Sequence, residues 1–174
     1  MTHPKLIQII TDFDELGPIS GQISGDILFS CLGTTLKAAG SKKNQRHIDY
    51  EISLKFAAVA RKNGVSKTVL LSAYGASPKS KVFYSKVKSE LEESIADLTF
   101  DQYIIFKPGI LLRKDSERWG EHIAVFILNA INSLGLLRKF KPLPTHTLAE
   151  KLAKAPKILD AGRHVIQLEK IIGF

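Results

Sequence analysis

Short apolar runs alternate with stretches of helical period along this chain, and that alternation restricts the fold more than any single motif. Leu6-Ile-Gln-Ile-Ile10 and Asp26-Ile-Leu-Phe-Ser-Cys-Leu-Gly33 are too short for helices. The first is broken by the turn-prone residues 12–18 and the second is closed by glycine, so both predict strands. Residues 47–63 then carry Ile48, Ile52, Phe56, Val59 and Ala60 at helical spacing, with Gly64 as a stop. Thr68-Val-Leu-Leu-Ser-Ala73 predicts a buried strand. Residues 80–98 predict an amphipathic helix, with Val87, Leu91, Ile95 and Leu98 inward and Glu90, Glu92 and Glu93 outward. Gln102-Tyr-Ile-Ile-Phe106 is a further strand, ended by Lys107-Pro-Gly109.

Beyond it, residues 121–134 are apolar almost all round, which predicts a helix packed on both sides or joined to a subunit contact. Residues 147–155 predict a short helix with Thr147 as cap and Glu150 in the capping-box position. Residues 163–168 fit a strand or a helix equally. Strands alternating with helices of these lengths predict an α/β fold with a mainly parallel sheet covered on both faces, and 174 residues suffice for one domain, 1–174.

Composition narrows the function. No run of about 18 uncharged apolar residues occurs, and the opening residues show no apolar leader, so a soluble cytoplasmic protein without membrane partners is expected. Cys31 is the single cysteine, with no intrachain partner, and predicts a buried thiol. The net charge of +8 would suit a polyanion, but the lysines are dispersed along helical faces. With no helix-turn-helix, zinc-ligand or stacking motif, nucleic-acid binding is the least favoured class. The five histidines lack metal-ligand spacing, so no metal is expected.

In open parallel sheets, ligands bind beyond the carboxyl ends of the strands. That rule selects Asp12-Phe13, residues 31–35, residues 72–75 and residues 107–109. Tyr84-Ser-Lys-Val-Lys88 places a phenol and an ammonium on one helical face, where the cation can favour the ionised phenol and suit it to proton transfer. Ser72, just after a strand, supplies a hydroxyl donor where a substrate carbonyl could sit.

The stretches Val69-Leu-Leu-Ser-Ala-Tyr-Gly-Ala-Ser-Pro-Lys-Ser80 and Phe83-Tyr-Ser-Lys-Val-Lys-Ser-Glu-Leu-Glu-Glu93, with residues 106–112 and 117–121, resemble the atypical short-chain dehydrogenases of the Tat-interacting-protein type. The resemblance implies a Rossmann-like NAD(P)-binding fold and an oxidoreductase acting on a small-molecule substrate. It makes Ser72, Tyr84 and Lys88 the catalytic triad: the tyrosine exchanges a proton with the substrate oxygen, the serine orients that oxygen, and the lysine lowers the tyrosine pKa and binds the nicotinamide ribose. It also implies cofactor contacts from Asp12 and Phe13 near the adenine, from Leu32, Gly33 and Thr34, and from Pro108, Gly109 and Ile110 on the nicotinamide side.

The sequence departs from that family in lacking its strand, glycine-rich turn and helix. Gly17, Gly21 and Gly25 lie in a polar linker before a strand, not between a strand and a helix. The fold expected is therefore Rossmann-like but truncated at its N-terminus, with NAD or NADP bound weakly or not at all, because the pyrophosphate amides are missing. An exposed sheet edge would follow, closed by pairing with residues 6–10 or by self-association into an oligomer. A non-catalytic binding or regulatory module on the same fold is the alternative.

Overall fold

The computed structural model describes residues 3–112 and 142–174. A 3₁₀ turn at Gly17–Gln22 precedes strand β1 (Ile27–Ser30). Two short helices follow, α1 (Leu36–Ala39) and α2 (Lys42–Arg46), capped by the Thr35 and Ser41 hydroxyls. Helix α2 continues through a π-helical stretch, His47–Ile52, into α3 (Ser53–Lys62). Then come β2 (Lys67–Leu71), α4 (Phe83–Ala96), β3 (Gln102–Lys107) and β4 (Leu111–Leu112). The later part holds β5 (Leu143–Pro144), α5 (Thr145–Ile158), β6 (Gly162–Gln167) and α6 (Glu169–Gly173).

The main sheet runs β1-β2-β3-β6 with every pairing parallel. Val69, Leu70, Ile104 and Ile105 are all buried because successive residues point to opposite, equally covered faces. On one face Leu70 and Ile105 meet Ala57 and Ala60 of α3 and Leu91 and Ile95 of α4. On the other, Val69, Ile104 and Phe106 meet Leu148, Leu152 and Ala155 of α5. Each fully buried Leu or Ile contributes about 1.5–3 kcal/mol, and these two layers hold the strand ends in place.

Several expectations are corrected. Residues 6–10 form no strand: Ile7 is 84% exposed and Ile10 101%. A strand needs a ladder partner, and the chain is held elsewhere. Phe13 packs against Phe56 of α3 with ring centres 5.7 Å apart, Leu16 is buried, and Lys55 donates to the Asp14 carbonyl, so this segment lies on the helix and not at the sheet edge. The pairing of residues 6–10 with β1 is therefore absent. The second predicted strand shortens to β1. Helix α5 starts at Thr145 after Pro144, with no side-chain cap from Thr147. Residues 163–168, left open between strand and helix, fall largely in β6. The helix predicted over 121–134 lies outside the described residues.

Candidate functional site

The carboxyl ends of β1, β2 and β3 open onto a cavity of about 800 Å³. Its wall includes Ser72 after β2 and Tyr84 and Lys88 of α4. The loop after β1 adds Leu32, Gly33 and Thr34, and the loop after β3 adds Pro108 and Gly109. Eight expected site residues thus meet at one place. The loop after β2 is held in register with β3, since Ser72 N donates to the Phe106 carbonyl at 2.8 Å and Tyr74 N to that of Pro108 at 2.9 Å.

Three expected cofactor contacts do not reach this cavity. Asp12 is turned back on its own loop, its carboxylate accepting from Asp14 N at 2.8 Å, and Phe13 is spent on Phe56. Ile110 is absent from the wall, and its carbonyl accepts from Leu143 N to start the small β4-β5 pair. Cys31, expected as a buried thiol, is exposed and lines the cavity.

Lys88 is held by two partners in the interior. Its Nζ donates to the Leu32 carbonyl at 3.1 Å and lies 3.7 Å from Asp49 Oδ1, with the lysine and aspartate side chains 2% and 0% exposed. The same Asp49 oxygen accepts from Thr34 N at 2.8 Å. Asp49 sits on the π-helical stretch, in line with buried Gln45 and Ile52, a kind of helix defect that recurs at functional sites. Gly33 approaches this pair closely: a Cβ would stand 3.3 Å from Asp49 Oδ1 and 3.6 Å from Lys88 Nζ.

Burial pushes the Lys88 ammonium down, with the Asp49 carboxylate opposing, and burial pushes Asp49 up, with Lys88 opposing. The Tyr84 phenol is raised, first by burial and then by Asp49. Lys88 Nζ stands 5.9 Å from the Tyr84 ring centre, with its hydrogen bonds directed elsewhere. The expected lowering of the tyrosine by the lysine is therefore not the balance in this arrangement. The phenol keeps its proton at neutral pH, which suits a proton donor.

Ser72 also differs from expectation. Its hydroxyl donates to Glu92 Oε1, and Glu92 Oε2 pairs with Lys107 Nζ at 2.7 Å. Glu92, expected outward with Glu90 and Glu93, is 3% exposed. Two residues central to the site, Asp49 and Glu92, were thus missed. The signal for Glu92 is its spacing, four residues after Lys88 and eight after Tyr84, on one helical stripe.

No cluster of three potential metal ligands occurs among the described residues, and no described helix is long and apolar enough to cross a membrane. No family model matches the chain. Relatives do: a protein FMP52, mitochondrial, of Candida albicans is 40% identical over 71% of this chain and 55% of its own length. That of Emericella nidulans is 37% identical over 62% and 47%, and that of Saccharomyces cerevisiae 38% over 59% and 45%. The chain spans about half the length of these curated relatives. Their names overturn the expectation of a cytoplasmic protein.

Among solved structures, MoeE5 in complex with UDP-glucuronic acid and NAD superposes with a TM-score of 0.67 at 13% identity, over 92% of this chain and 62% of that one. A UDP-N-acetylglucosamine 4-epimerase from Methanobrevibacter ruminantium gives 0.65 at 13% over 92% and 60%. A dTDP-4-dehydrorhamnose reductase from Bacillus anthracis in complex with NADP gives 0.51 at 13% over 91% and 72%. The parallel sheet flanked by helices is Rossmann-like, the fold it shares with these structures.

Proposed function

We propose that the chain carries the proton-transfer half of an NAD(P)-dependent oxidoreductase of the atypical short-chain dehydrogenase type, acting on a small carbonyl compound. The supporting observation is the convergence of Ser72, Tyr84 and Lys88 on one cavity with the loops after β1 and β3. Tyr84 is the proton donor, because burial keeps its phenol protonated and the cavity wall presents it. Lys88, with Leu32, Gly33 and Thr34, faces the same space as Pro108 and Gly109.

A nicotinamide with its ribose fits a cavity of about 800 Å³ opening at the strand ends. When bound it supplies the hydride. Among the described residues no glycine-rich turn lies between a strand and a helix to offer an amide cradle for the pyrophosphate. NADH and NADPH are therefore expected to bind weakly. The mitochondrial setting named for the relatives extends to this chain as part of the same proposal. Self-association does too: among the described strands β1 pairs only with β2, and Phe29 of β1 is exposed.

Calorimetric titration with NADH and NADPH, followed by turnover of a carbonyl panel, tests the proposal. Tyr84→Phe should keep the fold and lose at least about two orders of magnitude in turnover. Unchanged turnover in that variant would remove Tyr84 from the chemistry. A second reading, a non-catalytic binding module, is favoured by the hold of Asp49 and Leu32 on Lys88. Ligand binding without turnover would select it.

A further inference from the structure

A serine hydroxyl has one hydrogen to give and two lone pairs to receive with. The Ser72 hydrogen goes to Glu92 Oε1. Glu92 is itself held by two further groups and is buried. Lys107 at the end of β3 pairs with its Oε2 at 2.7 Å, the Tyr103 hydroxyl donates to its backbone carbonyl at 3.0 Å, and its side chain is 4% exposed. Lys107 Nζ also reaches the Ala76 carbonyl at 3.5 Å, tying the carboxylate to the loop that follows Ser72. A carboxylate cannot donate, so the direction of the Ser72–Glu92 bond is set, and Ser72 has only acceptor capacity left for the cavity.

We propose that Glu92 is a positioning residue that makes Ser72 a hydrogen-bond acceptor toward the cavity, so that the site takes carbonyl compounds bearing a hydroxyl on the adjacent carbon. The proposal rests on the reductase reading of the same cavity and adds its substrate class. Tyr84 would meet the carbonyl oxygen and Ser72 the neighbouring hydroxyl, two oxygens held side by side on the substrate. In the reduction Tyr84 gives its phenolic proton to the carbonyl oxygen while the carbonyl carbon gains a hydride from a reduced nicotinamide. The products are a vicinal diol and the oxidised nicotinamide, and the tyrosine recovers its proton from water. A simple ketone leaves Ser72 without a donor. A site built to pair with a hydroxyl rejects the analogue that lacks it.

The test compares acetoin with butanone, which differ by that hydroxyl. Binding is followed through the backbone amide signals of Ser72 and Ala73 in the nitrogen-labelled chain, with and without NADPH, and turnover is measured separately. Wild-type protein should bind acetoin about tenfold tighter than butanone. Glu92→Gln can turn its amide toward Ser72 and free the serine hydrogen for the cavity, so the preference should fall toward one or reverse. Ser72→Ala, which removes the acceptor with little packing change, should abolish it and covers the case in which Glu92→Gln does not fold. Equal binding of the two ketones in wild type, absence of binding by both, or a preference unmoved in the folded variants overturns the proposal. Acetoin preference without turnover would leave the acceptor role standing and end the reductase reading instead.

Discussion

Asp49 and Lys88 form an ion pair in the interior, Nζ to Oδ1 3.7 Å, with neither side chain more than 2% exposed. Burial disfavours both charges, and each is sustained by the other and by backbone groups, Thr34 N for the aspartate and the Leu32 carbonyl for the lysine. Such a pair ties α4 to the π-helical stretch, and its backbone partners Leu32 and Thr34 tie both to the loop after β1.

Breaking it from one side should be costly. Asp49→Ala leaves Lys88 buried without its counter-charge and should lose about 3–5 kcal/mol. The double replacement Asp49→Asn with Lys88→Met, which keeps an acceptor for Thr34 N, should return to within about 1 kcal/mol of wild type or exceed it. Urea unfolding measures both. A double variant as unstable as Asp49→Ala would show that the pair contributes net stability.

Gly33→Ala should disturb the site without adding charge. The new methyl would stand 3.3 Å from Asp49 Oδ1, a fixed buried atom, so the loop after β1 must move. The expected loss is about 1–3 kcal/mol, together with a weaker response of the Ser72 and Thr34 amides to any cavity ligand. An unchanged melting temperature and an unchanged ligand response would show that the loop has room to spare.

The segment leading into the fold should loosen as pH rises. His47 lies 2.8 Å from Glu51 and 2.7 Å from Asp14, and its pKa is raised above 6.5, first by the hydrogen bond to Glu51 and then by the charges of Asp14 and Glu51. Because the folded value exceeds the unfolded one, the link is fully present below pH 6.5 and is lost as pH climbs through the raised value. Amide protection factors at Phe13 and Leu16 should fall over that window in wild type and show no such step in His47→Gln. A step of equal size in the variant would place the titrating group elsewhere.

Arg163 of β6 reaches across to Glu93 of α4 at 2.7 Å, and that hydrogen bond is the main cause of the lowered Glu93 pKa. Its contribution is present above 4.5, the ordinary glutamate value, and lost as pH falls through the lowered one. Both side chains are well exposed, so Glu93→Gln should cost only about 0.2–1 kcal/mol. Parallel acid unfolding curves for the variant and wild type would remove the pair from the acid limb.

How far the sequence reveals the site depends on whether burial leaves a period behind. The strands β2 and β3 are apolar without interruption because both faces are covered, and α4 shows its inward stripe plainly, so Ser72, Tyr84 and Lys88 could be placed at strand ends and on one helical face. Residues 6–10 look the same as a strand in composition, yet Phe13 and Leu16 anchor their neighbours to α3 and no ladder partner is at hand. Asp49 and Glu92 escaped because a lone acid in an amphipathic helix usually faces water. Here each meets a lysine brought from another element, a tertiary pairing that no local pattern encodes.

The place of β6 beside β3 has a consequence for the order of folding. Residues 27 and 67, and then 67 and 102, come together over modest chain lengths, whereas Gln102 must wait for Gly162. Closing that longest loop carries the largest entropy cost, and ladders between distant residues form slowly. Every described wall of the cavity lies before residue 112, so the walls are expected to assemble first and the last strand to dock afterwards. Until it does, Ile104 and Phe106 lack Ile166 as a neighbour and present an apolar, unpaired strand to other chains. Pulse-labelled hydrogen exchange during refolding should find β2 protected before β6, and simultaneous protection would rule out this sequence of events.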